Sequence, residues 1–294
     1  MTVKIVTDSS ADLPAKIVQE LGITTVPLYV RFGEKIYRDR VDISEDEFYQ
    51  RLQHDPIHPS TVQPSPQDFV DVYRKLSQDA DGIVSIHISS VLSGTCNSAL
   101  QGRELAGVAC PIEVIDSRML TMALGMTVIA TAKLVNMGKG LDEVVAEAKR
   151  ATAITHLLGL LDTLEYVRKG GRIGRARALL GSILSVKPLL TLQDGDTAPA
   201  GKARTRSKGI DRLFDFVKST TNIEELAVVY NTNPEADLSS YGRSYTRSAH
   251  EEAQALVERI GSIFDKKRIY LTTVGPMLGV HMGPGALIVA IRGN

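Results

Sequence analysis

The first half of the chain alternates short apolar segments with helical segments, and this alternation restricts the possible folds more than any other feature. Strand-like segments cover residues 3–7, 82–88 and 112–116, and a helical pattern follows each of them. Strands joined through helices pair in parallel, because a parallel connection needs a crossover of about a dozen residues or more. The sequence therefore predicts a parallel α/β sheet, with a further strand over residues 26–32.

The pattern changes at about residue 151, where turns as well as helices begin to join the strands. Asp194-Gly195 is a hairpin-type turn between two extended segments, and residues 176–184 have a helical pattern. A chain of 294 residues is also longer than one typical hydrophobic core supports. We therefore predict two α/β domains, a parallel-sheet N-terminal domain over residues 1–150 and a mixed-sheet C-terminal domain over residues 151–294.

The balance of charges argues against several classes of partner. Lys plus Arg and Asp plus Glu number 34 each, so no net field directs the chain to nucleic acid or to an anionic membrane. The two cysteines, Cys96 and Cys110, do not make a disulfide framework, and their spacing matches no metal motif. His54 and His58 are four residues apart, but Pro56 between them opposes a helical metal-binding pair. The sequence predicts no metal and no cofactor.

The apolar segments are too short to cross a membrane. The most apolar one, residues 119–132, lies between Arg118 and Lys133 and is shorter than the roughly 20 residues that a spanning helix needs. No signal-peptide pattern precedes the first strand-like segment. We expect a soluble, cytoplasmic protein without an integral membrane segment.

The segment from residue 86 to residue 99 is a candidate binding site. An apolar β-type run ends there in a loop rich in hydroxyls, and a helical pattern starts at about Ser93. The first N–H groups of a helix have no internal partner and favour negative charge, so Ser93 and Thr95 could complete a pocket for an anion. Simple N-capping by Ser93 is the commoner explanation when such a pattern stands alone.

Sequence patterns of catalysis are mostly missing. The chain has no Gly-x-Ser-x-Gly motif, and the segment at residues 195–202 lacks the spacing of a phosphate-binding loop. Ser93 has no general base nearby in the sequence, although His87 or His281 could approach it in the fold. A hydrolase or phosphotransferase that uses Ser93 and His281 is therefore kept as an alternative.

The helical segment after Asp116 is apolar on nearly every face, which is typical of a helix buried on all sides. Packing in the core explains such a helix without any ligand. A second interpretation comes from Met119, Met122 and Met126, because flexible methionine side chains suit the wall of a deformable apolar cavity. These three methionines are accordingly candidates for the wall of an apolar tunnel that holds an amphiphile with a carboxylate head.

Seven motifs, in order along the chain, resemble those of the DegV family, the fatty-acid-binding proteins of bacteria. They are Thr7-Asp8-Ser9-Ser10-Ala11-Asp12-Leu13-Pro14, Thr61-Val62-Gln63-Pro64-Ser65, Leu92-Ser93-Gly94-Thr95 with Ser98-Ala99, Asp116-Ser117 with Gly125, Arg168-Lys169-Gly170-Gly171-Arg172-Ile173, Lys187-Pro188-Leu189-Leu190, and His281-Met282-Gly283-Pro284-Gly285-Ala286. They extend from residue 7 to residue 286 and so cover essentially the whole chain. Val62 departs from the family pattern, which usually has a serine at this position.

The resemblance implies two α/β domains that hold a long-chain fatty acid, such as palmitate, between them. It implies that Thr61 and Ser93 bind the carboxylate, with His281 near the head group. Gly94 and Thr95 belong to the same motif as Ser93 and are counted with this site. The resemblance also implies basic residues near the entrance or at a docking surface for a partner, namely Arg168, Arg172, Arg204 and Arg206.

Related proteins present the fatty acid to a separate kinase, which phosphorylates the carboxylate, and the acyl phosphate then feeds phospholipid synthesis. The resemblance therefore implies a non-catalytic carrier in lipid transport and fatty acid metabolism, with the fatty acid as ligand and a kinase as possible partner. Two alternatives stay open. One is the hydrolase or phosphotransferase described above, and the other is a regulatory sensor that reports lipid status to another protein.

Overall fold

The structure is a computed structural model and describes residues 2–231 and 248–294. The α-helices of this part of the chain are α1 (Ala15–Glu20), α2 (Glu45–His54), α3 (Pro66–Leu76), α4 (Thr95–Ala106), α5 (Thr121–Asn136), α6 (Leu141–Ala153), α7 (Glu165–Lys169), α8 (Arg206–Ser219), α9 (Ala249–Ile260) and α10 (Pro276–Met282). The strands are β1 (Val3–Asp8), β2 (Ile23–Val26), β3 (Tyr29–Phe32), β4 (Lys35–Arg38), β5 (Ser60–Val62), β6 (Gly82–His87), β7 (Ile112–Asp116), β8 (Thr155–Leu160), β9 (Lys187–Gln193), β10 (Asp196–Ala203), β11 (Glu225–Tyr230), β12 (Ile269–Thr273) and β13 (Leu287–Arg292). Segments of 3₁₀ helix cover Ser9–Ala11, Gly174–Ser185 and Lys266–Arg268.

The N-terminal sheet has the strand order β2-β1-β6-β7, and each neighbouring pair is parallel. β1 is apolar on both of its faces: Val3 and Ile5 contribute to one core cluster, and Val6 contributes to another. Strands buried on both faces are typical of parallel sheets that helices cover on each side. The predicted parallel α/β sheet is confirmed.

The C-terminal sheet has the strand order β10-β9-β8-β13-β11-β12. The β11–β12 pair is parallel, and the other pairs are antiparallel. Asp194 and Gly195 lie in the turn between β9 and β10, and both have positive φ, as a tight hairpin turn of this kind requires. The predicted mixed sheet is therefore confirmed as well.

A small antiparallel sheet, with the order β4-β3-β5, accounts for one wrong prediction. The single strand predicted over residues 26–32 is two strands, because β2 ends at Val26 and β3 begins at Tyr29. Pro27 lies between them and has no N–H to donate to a strand ladder, so the chain leaves the parallel sheet at this point. In the small sheet, β5 pairs Thr61 with Val30 of β3.

Helix α5 lies between the two large sheets and packs on both. Residues 121–132 are buried without a break, as expected for a helix that is apolar on nearly every face. Side chains alternate between the faces of each strand, so Val229 of β11 joins the core around α5, whereas Val228 faces α8 and α9. Because α3 and α4 cover the outer face of the parallel sheet, the fold has five layers of helices and sheets.

After β12 the chain returns to its N-terminal half. Helix α10 packs against α2 and α7 and reaches β3 and β5 of the small sheet. Its Gly279 lies so close to α2 that a Cβ atom there would be 2.5 Å from Cε1 of Phe48. This return brings C-terminal side chains next to the strand that carries Thr61.

Candidate functional site

A cavity of about 370 Å³ lies at the junction of the two halves of the chain. Its volume falls within the range of about 300–1,000 Å³ that is typical of small-molecule sites. Apolar side chains form most of its wall: Leu28, Val62, Ile88, Leu92, Leu120, Leu157, Leu161, Val167, Leu190, Leu192, Met277, Leu278, Met282 and Ile288. Its polar lining residues are Thr61, Gln63, Ser93, Arg172, Thr191, Thr197 and His281.

Ser93 follows β6, lies two residues before the first residue of α4 and lines the cavity. Its Oγ lies 2.8 Å from Oγ1 of Thr95 and accepts a hydrogen bond of 3.3 Å from the Thr95 N–H. Thr95 is fully buried and does not line the cavity. Thr95 therefore fixes the position of the Ser93 hydroxyl, and Ser93 is the member of this pair that a ligand can reach.

Gly94 also acts indirectly, because it makes room for Gln63. A Cβ atom at Gly94 would lie 2.1 Å from Oε1 of Gln63. The Gln63 Nε2 donates a hydrogen bond of 3.2 Å to Oγ of Ser98, and the side chain lines the cavity. Gln63 belongs to one of the seven motifs but was not predicted to be a site residue.

Thr61 and His281 come together from opposite ends of the chain, with Thr61 Oγ1 lying 3.1 Å from His281 Nε2. Burial lowers the pKa of His281 to about 3, and the positive charge of Arg172 adds to this effect. Since the buried Nδ1 has no hydrogen-bond partner among the described residues, the neutral ring loses least by carrying its proton on Nε2. His281 then donates to Thr61, and the Thr61 hydroxyl proton is free to point at a ligand.

Gly170 permits the position of the His281 ring. A Cβ atom at Gly170 would lie 2.0 Å from Nδ1 of His281. This residue has an ordinary helical φ of −74°, so the requirement for glycine comes from the close approach of the ring. No local sequence pattern could predict this contact, because the two residues are more than a hundred positions apart.

The four arginines that the resemblance grouped together have different surroundings. Arg172 lines the cavity and bridges two loops, since its Nε donates to the Leu92 carbonyl at 3.2 Å and its Nη1 to the Gly170 carbonyl at 2.8 Å. Arg168 and Arg204 are exposed and do not line the cavity.

Arg206 does not fit the expectation of an entrance or docking residue. Its side chain is only 13% exposed, and it pairs with Glu252 at 2.8 Å and with Asp162 at 3.3 Å. Its guanidinium also donates to the Gly285 carbonyl. These contacts hold Arg206 inside the C-terminal half, so we correct the expectation for this residue.

The prediction that Met119, Met122 and Met126 line an apolar tunnel is wrong. Met122 and Met126 have no exposed surface, and Met119 packs against the same core. Met122 and Met126 belong to α5, which is buried between the two sheets, and Met119 precedes this helix. Met277 and Met282, at the two ends of α10, are the methionines that line the cavity.

Within residues 2–231 and 248–294, neither of the two histidines considered as a base is paired with Ser93. The His281 Nε2 is engaged by Thr61, and the Ser93 hydroxyl is engaged by Thr95. His87, the other histidine considered, is fully buried, with Nδ1 3.0 Å from Asp8 Oδ2 and Nε2 2.7 Å from Ser85 Oγ. The expectation that His87 could approach Ser93 is therefore wrong.

Two further observations concern residues 2–231 and 248–294. No group of three or more His, Cys, Asp or Glu side chains there could hold a metal ion. None of the helices described is long and apolar enough to cross a membrane. Cys96 and Cys110 are free cysteines, and burial raises the pKa of the Cys96 thiol.

The chain matches the family model described as "Uncharacterised protein, DegV family" over residues 2–293, and it therefore belongs to the DegV family. A DegV domain-containing protein of Streptomyces coelicolor is 38% identical over 291 residues, which is 98% of each chain. A DegV domain-containing protein of Deinococcus radiodurans is 35% identical over 293 residues, which is 99% of each chain.

Solved structures of similar fold are described as fatty acid binding proteins. A DegV family protein from Thermus thermophilus, described by its fatty acid binding, has a TM-score of 0.87 at 31% identity, with 100% of both chains covered. DegV of Bacillus subtilis, described as a fatty acid binding protein, has a TM-score of 0.85 at 28% identity, also with 100% of both chains covered. The two-domain α/β fold expected from the sequence is confirmed by these structures.

Proposed function

We propose that this chain binds a long-chain fatty acid, such as palmitate, in the cavity and without a covalent bond. Thr61 and Ser93 hold the carboxylate, and the acyl chain lies along the apolar wall between the N-terminal domain (residues 1–150) and the C-terminal domain (residues 151–294). The observation that carries this proposal is that Thr61 and Ser93 line one cavity whose remaining wall is mostly apolar.

Burial of the acyl chain accounts for most of the affinity. Each buried methylene stabilises the complex by about 0.8 kcal/mol, so a dozen carbons contribute roughly 10 kcal/mol before the costs of association. A hydrogen bond to a charged group contributes about 1.5–3 kcal/mol. The tail therefore sets the affinity, and the hydroxyls of Thr61 and Ser93 determine which end of the cavity the carboxylate occupies.

The surroundings of the carboxylate also suit transfer to a partner. Thr61 and Ser93 are neutral donors, so they leave the carboxylate less neutralised than a bidentate arginine would. A carboxylate held in this way keeps its nucleophilicity toward a phosphoryl donor. We propose that the chain performs no chemistry itself and presents the acid, in the cytoplasm, to a separate fatty acid kinase. The exposed Arg168 and Arg204, with Arg172 at the cavity wall, are candidates for the docking surface.

Organic extraction of the purified protein, followed by mass spectrometry, tests the binding step. We expect one equivalent or less of a long-chain fatty acid from the wild type and much less from a Thr61→Val/Ser93→Ala double variant. The variant Arg38→Gln, on the surface and outside the cavity, is the control for purification losses. Equal amounts of lipid from the wild type and the double variant would contradict the proposal. So would the absence of lipid from the wild type after growth with added palmitate.

The enzymatic alternative predicts a different result. A hydrolase or phosphotransferase would turn over acyl or phosphoryl esters, and this turnover would vanish in Ser93→Ala. Under our proposal the purified chain leaves such esters unchanged. A purified kinase, added with ATP, is then needed to form an acyl phosphate from the bound acid.

A further inference from the structure

The segment that leads from β12 into α10, residues 272–277, is held by side chains from the far end of the sequence. The Gly275 N–H donates a hydrogen bond of 2.9 Å to Oδ1 of Asp12. The Met277 N–H donates one of 3.2 Å to Oδ1 of Asp39. Both aspartates are almost completely buried, so the start of α10 is fixed by acceptors that belong to the N-terminal half.

Arg40 connects Asp12 to the rest of the segment. Its Nη2 donates to Asp12 Oδ1 at 3.0 Å and to the Thr273 carbonyl at 2.7 Å, and its Nη1 lies 2.9 Å from Oε1 of Glu45. Thr273 in turn donates through Oγ1 to Glu45 Oε2 at 2.7 Å. We call Asp12, Asp39, Arg40 and Glu45 the latch.

Backbone strain is concentrated at the same place. Among the described residues, six other than glycine have positive φ, and three of them meet here: Asp12 at 50°, Arg40 at 60° and Thr121 at 49°. Thr121 donates through Oγ1 to Asp12 Oδ2 at 2.6 Å. Strained residues of this kind persist only where the surrounding contacts hold them, and they cluster at functional sites and switch regions.

The latch and the cavity share helix α10. The latch holds the start of α10. Four residues of α10 line the cavity, namely Met277, Leu278, His281 and Met282. Because His281 is also the hydrogen-bond partner of Thr61, a shift of α10 would change both the cavity wall and the orientation of the Thr61 hydroxyl.

We propose that the latch sets the position of α10 and thereby controls how fast a fatty acid leaves the cavity. This inference rests on the proposed function for the identity of the ligand. When the hydrogen bonds of Arg40 to Asp12 and to the Thr273 carbonyl break, residues 272–277 and α10 move away from α2. This movement opens the wall of the cavity. Arg40 is thus a positioning residue, which acts on the ligand through α10.

The charges of the latch supply a readout that a purely structural role would not give. Burial raises the pKa of Asp12 to about 6 and that of Asp39 to about 7, and the charge of Arg40 opposes both increases. The other groups that face these two carboxyls are Ser9, Glu45, Tyr49, Thr121 and the N–H groups of Gly275 and Met277. Asp39 and Arg40 also line a second cavity of about 540 Å³, through which solvent protons can reach them.

Protonation weakens the pairing of Asp12 with Arg40, so we expect release of the fatty acid to accelerate as the pH falls from 8 to 5. Removal of the Arg40 charge lets both carboxyls take up protons at higher pH. We therefore expect Arg40→Gln to shift the pH profile of release upward. The fatty acid itself titrates in the same way in both assays, so the difference between the pH profiles of the variant and the wild type reports on the latch.

Stopped-flow release of a fluorescent fatty acid, cis-parinaric acid, tests the latch. At pH 8 we expect Arg40→Gln to release it at least about fivefold faster than the wild type. We expect Arg40→Lys, which keeps the charge, to lie between the two. Arg38→Gln is the matched control, because Arg38 pairs with Asp42 on the surface and touches neither residues 272–277 nor the cavity.

Hydrogen exchange separates the latch from the proposed function. In lipid-free protein we expect the amides of residues 272–282 to exchange faster in Arg40→Gln than in the wild type. This expectation does not depend on whether the natural ligand is a fatty acid. An unchanged release rate and unchanged exchange in these residues would overturn the latch. If Arg40→Gln does not fold, the same amides of the wild type must become more protected when fatty acid binds, and their failure to do so would equally overturn it.

Discussion

The residues proposed to bind the carboxylate have neutral side chains. Thr61 and Ser93 offer hydroxyls, and His281 stays neutral because burial lowers its pKa to about 3. Arg172 lines the same cavity, but it donates to two backbone carbonyls. In the proposed complex, the head of the acid therefore meets directed hydrogen bonds, and its charge is not cancelled by a cation that pairs with it.

The hydroxyls of Thr61 and Ser93 can be tested one at a time. We expect Thr61→Val, which keeps the shape of the side chain, and Ser93→Ala each to weaken the binding of palmitate by about tenfold, since one hydrogen bond to a charged group contributes about 1.5 kcal/mol or more. Titration calorimetry at pH 7.5 measures the change. An affinity within twofold of the wild type for both variants would remove these hydroxyls from the site.

The protonation state of His281 leads to a prediction on stability. Unfolded histidine has a pKa near 6.5, so the unfolded chain takes up a proton below that pH, whereas folded His281 does not. The contribution of His281 to the free energy of unfolding is thus complete above pH 7 and declines as the pH falls toward 3. We expect this loss to approach about 1 kcal/mol per pH unit below pH 6.

Urea unfolding of the wild type and of His281→Gln, from pH 8 to pH 5, isolates this contribution. The difference in unfolding free energy between the two proteins should move against the wild type as the pH falls. A constant difference over this range would show that His281 titrates normally in the folded protein.

The sequence was a good guide to the hydroxyls at the site and a poor guide to what supports them. The hydroxyl-rich loop after β6 indicated Ser93, the resemblance to the DegV motifs indicated Thr61, and both residues line the cavity. The supporting contacts of Gln63 and Gly170 depend on which loops approach each other, with Gly170 set against a ring more than a hundred residues away. Local patterns carry no information on such distant contacts.

At the scale of helices and strands, local sequence patterns are informative where the residues of one element determine where it begins and ends. Ser65 caps α3 with Pro66 in the first turn, and both residue types are favoured at these helix positions. The helical pattern predicted at residues 176–184 is 3₁₀ helix over Gly174–Ser185. The methionines of α5 were misassigned because periodicity shows that a helix is buried but not what it is buried against.

The contact between α7 and α10 yields a third prediction. We expect Gly170→Ala to push the His281 ring away from Thr61, because its Cβ would overlap Nδ1, and to weaken palmitate binding as well as lower the melting temperature. Gly171→Ala is the control: its φ of +72° imposes strain, but no atom lies within 4 Å of the new Cβ.

Both Gly170→Ala and Gly171→Ala are expected to lose stability in a thermal melt. Only Gly170→Ala is expected to lose affinity in the calorimeter. Equal affinities in the two variants would mean that the position of His281 does not matter to the ligand.

At the scale of the whole molecule, the cavity exists because the two halves of the chain leave a space where they meet. β5, the loop after β6 and Leu120 supply one side, and β8, β9, β13 and α10 supply the other. The capacity of this space for an acyl chain depends on side chains from both large sheets. Sequence patterns predicted both sheets, but the volume between them is a property of the assembled fold.

Gly159 of β8 provides a graded test of that volume. It lines the cavity on the same strand face as Leu157 and Leu161, and a Cβ atom there would make an ordinary contact of 3.5 Å with Ile288. We expect Gly159→Ala to bind palmitate almost normally. Gly159→Leu should bind palmitate at least tenfold more weakly and a ten-carbon acid nearly as well as the wild type, because methyl groups fill the space that a long tail needs.

Competition of each acid with cis-parinaric acid measures both affinities for every variant. A parallel loss for the long and the short acid would show that Gly159 supports the fold and does not limit tail length.

The placement of α5 has a consequence for how this chain is made and how it can be altered. α5 packs against both large sheets and has no hydrophilic face. A break in the polypeptide near residue 150 would therefore expose a hydrophobic surface to solvent on each of the two fragments. Neither piece is expected to stay in solution after separate expression, and hybrids between relatives must inherit α5 together with the inward faces of both sheets.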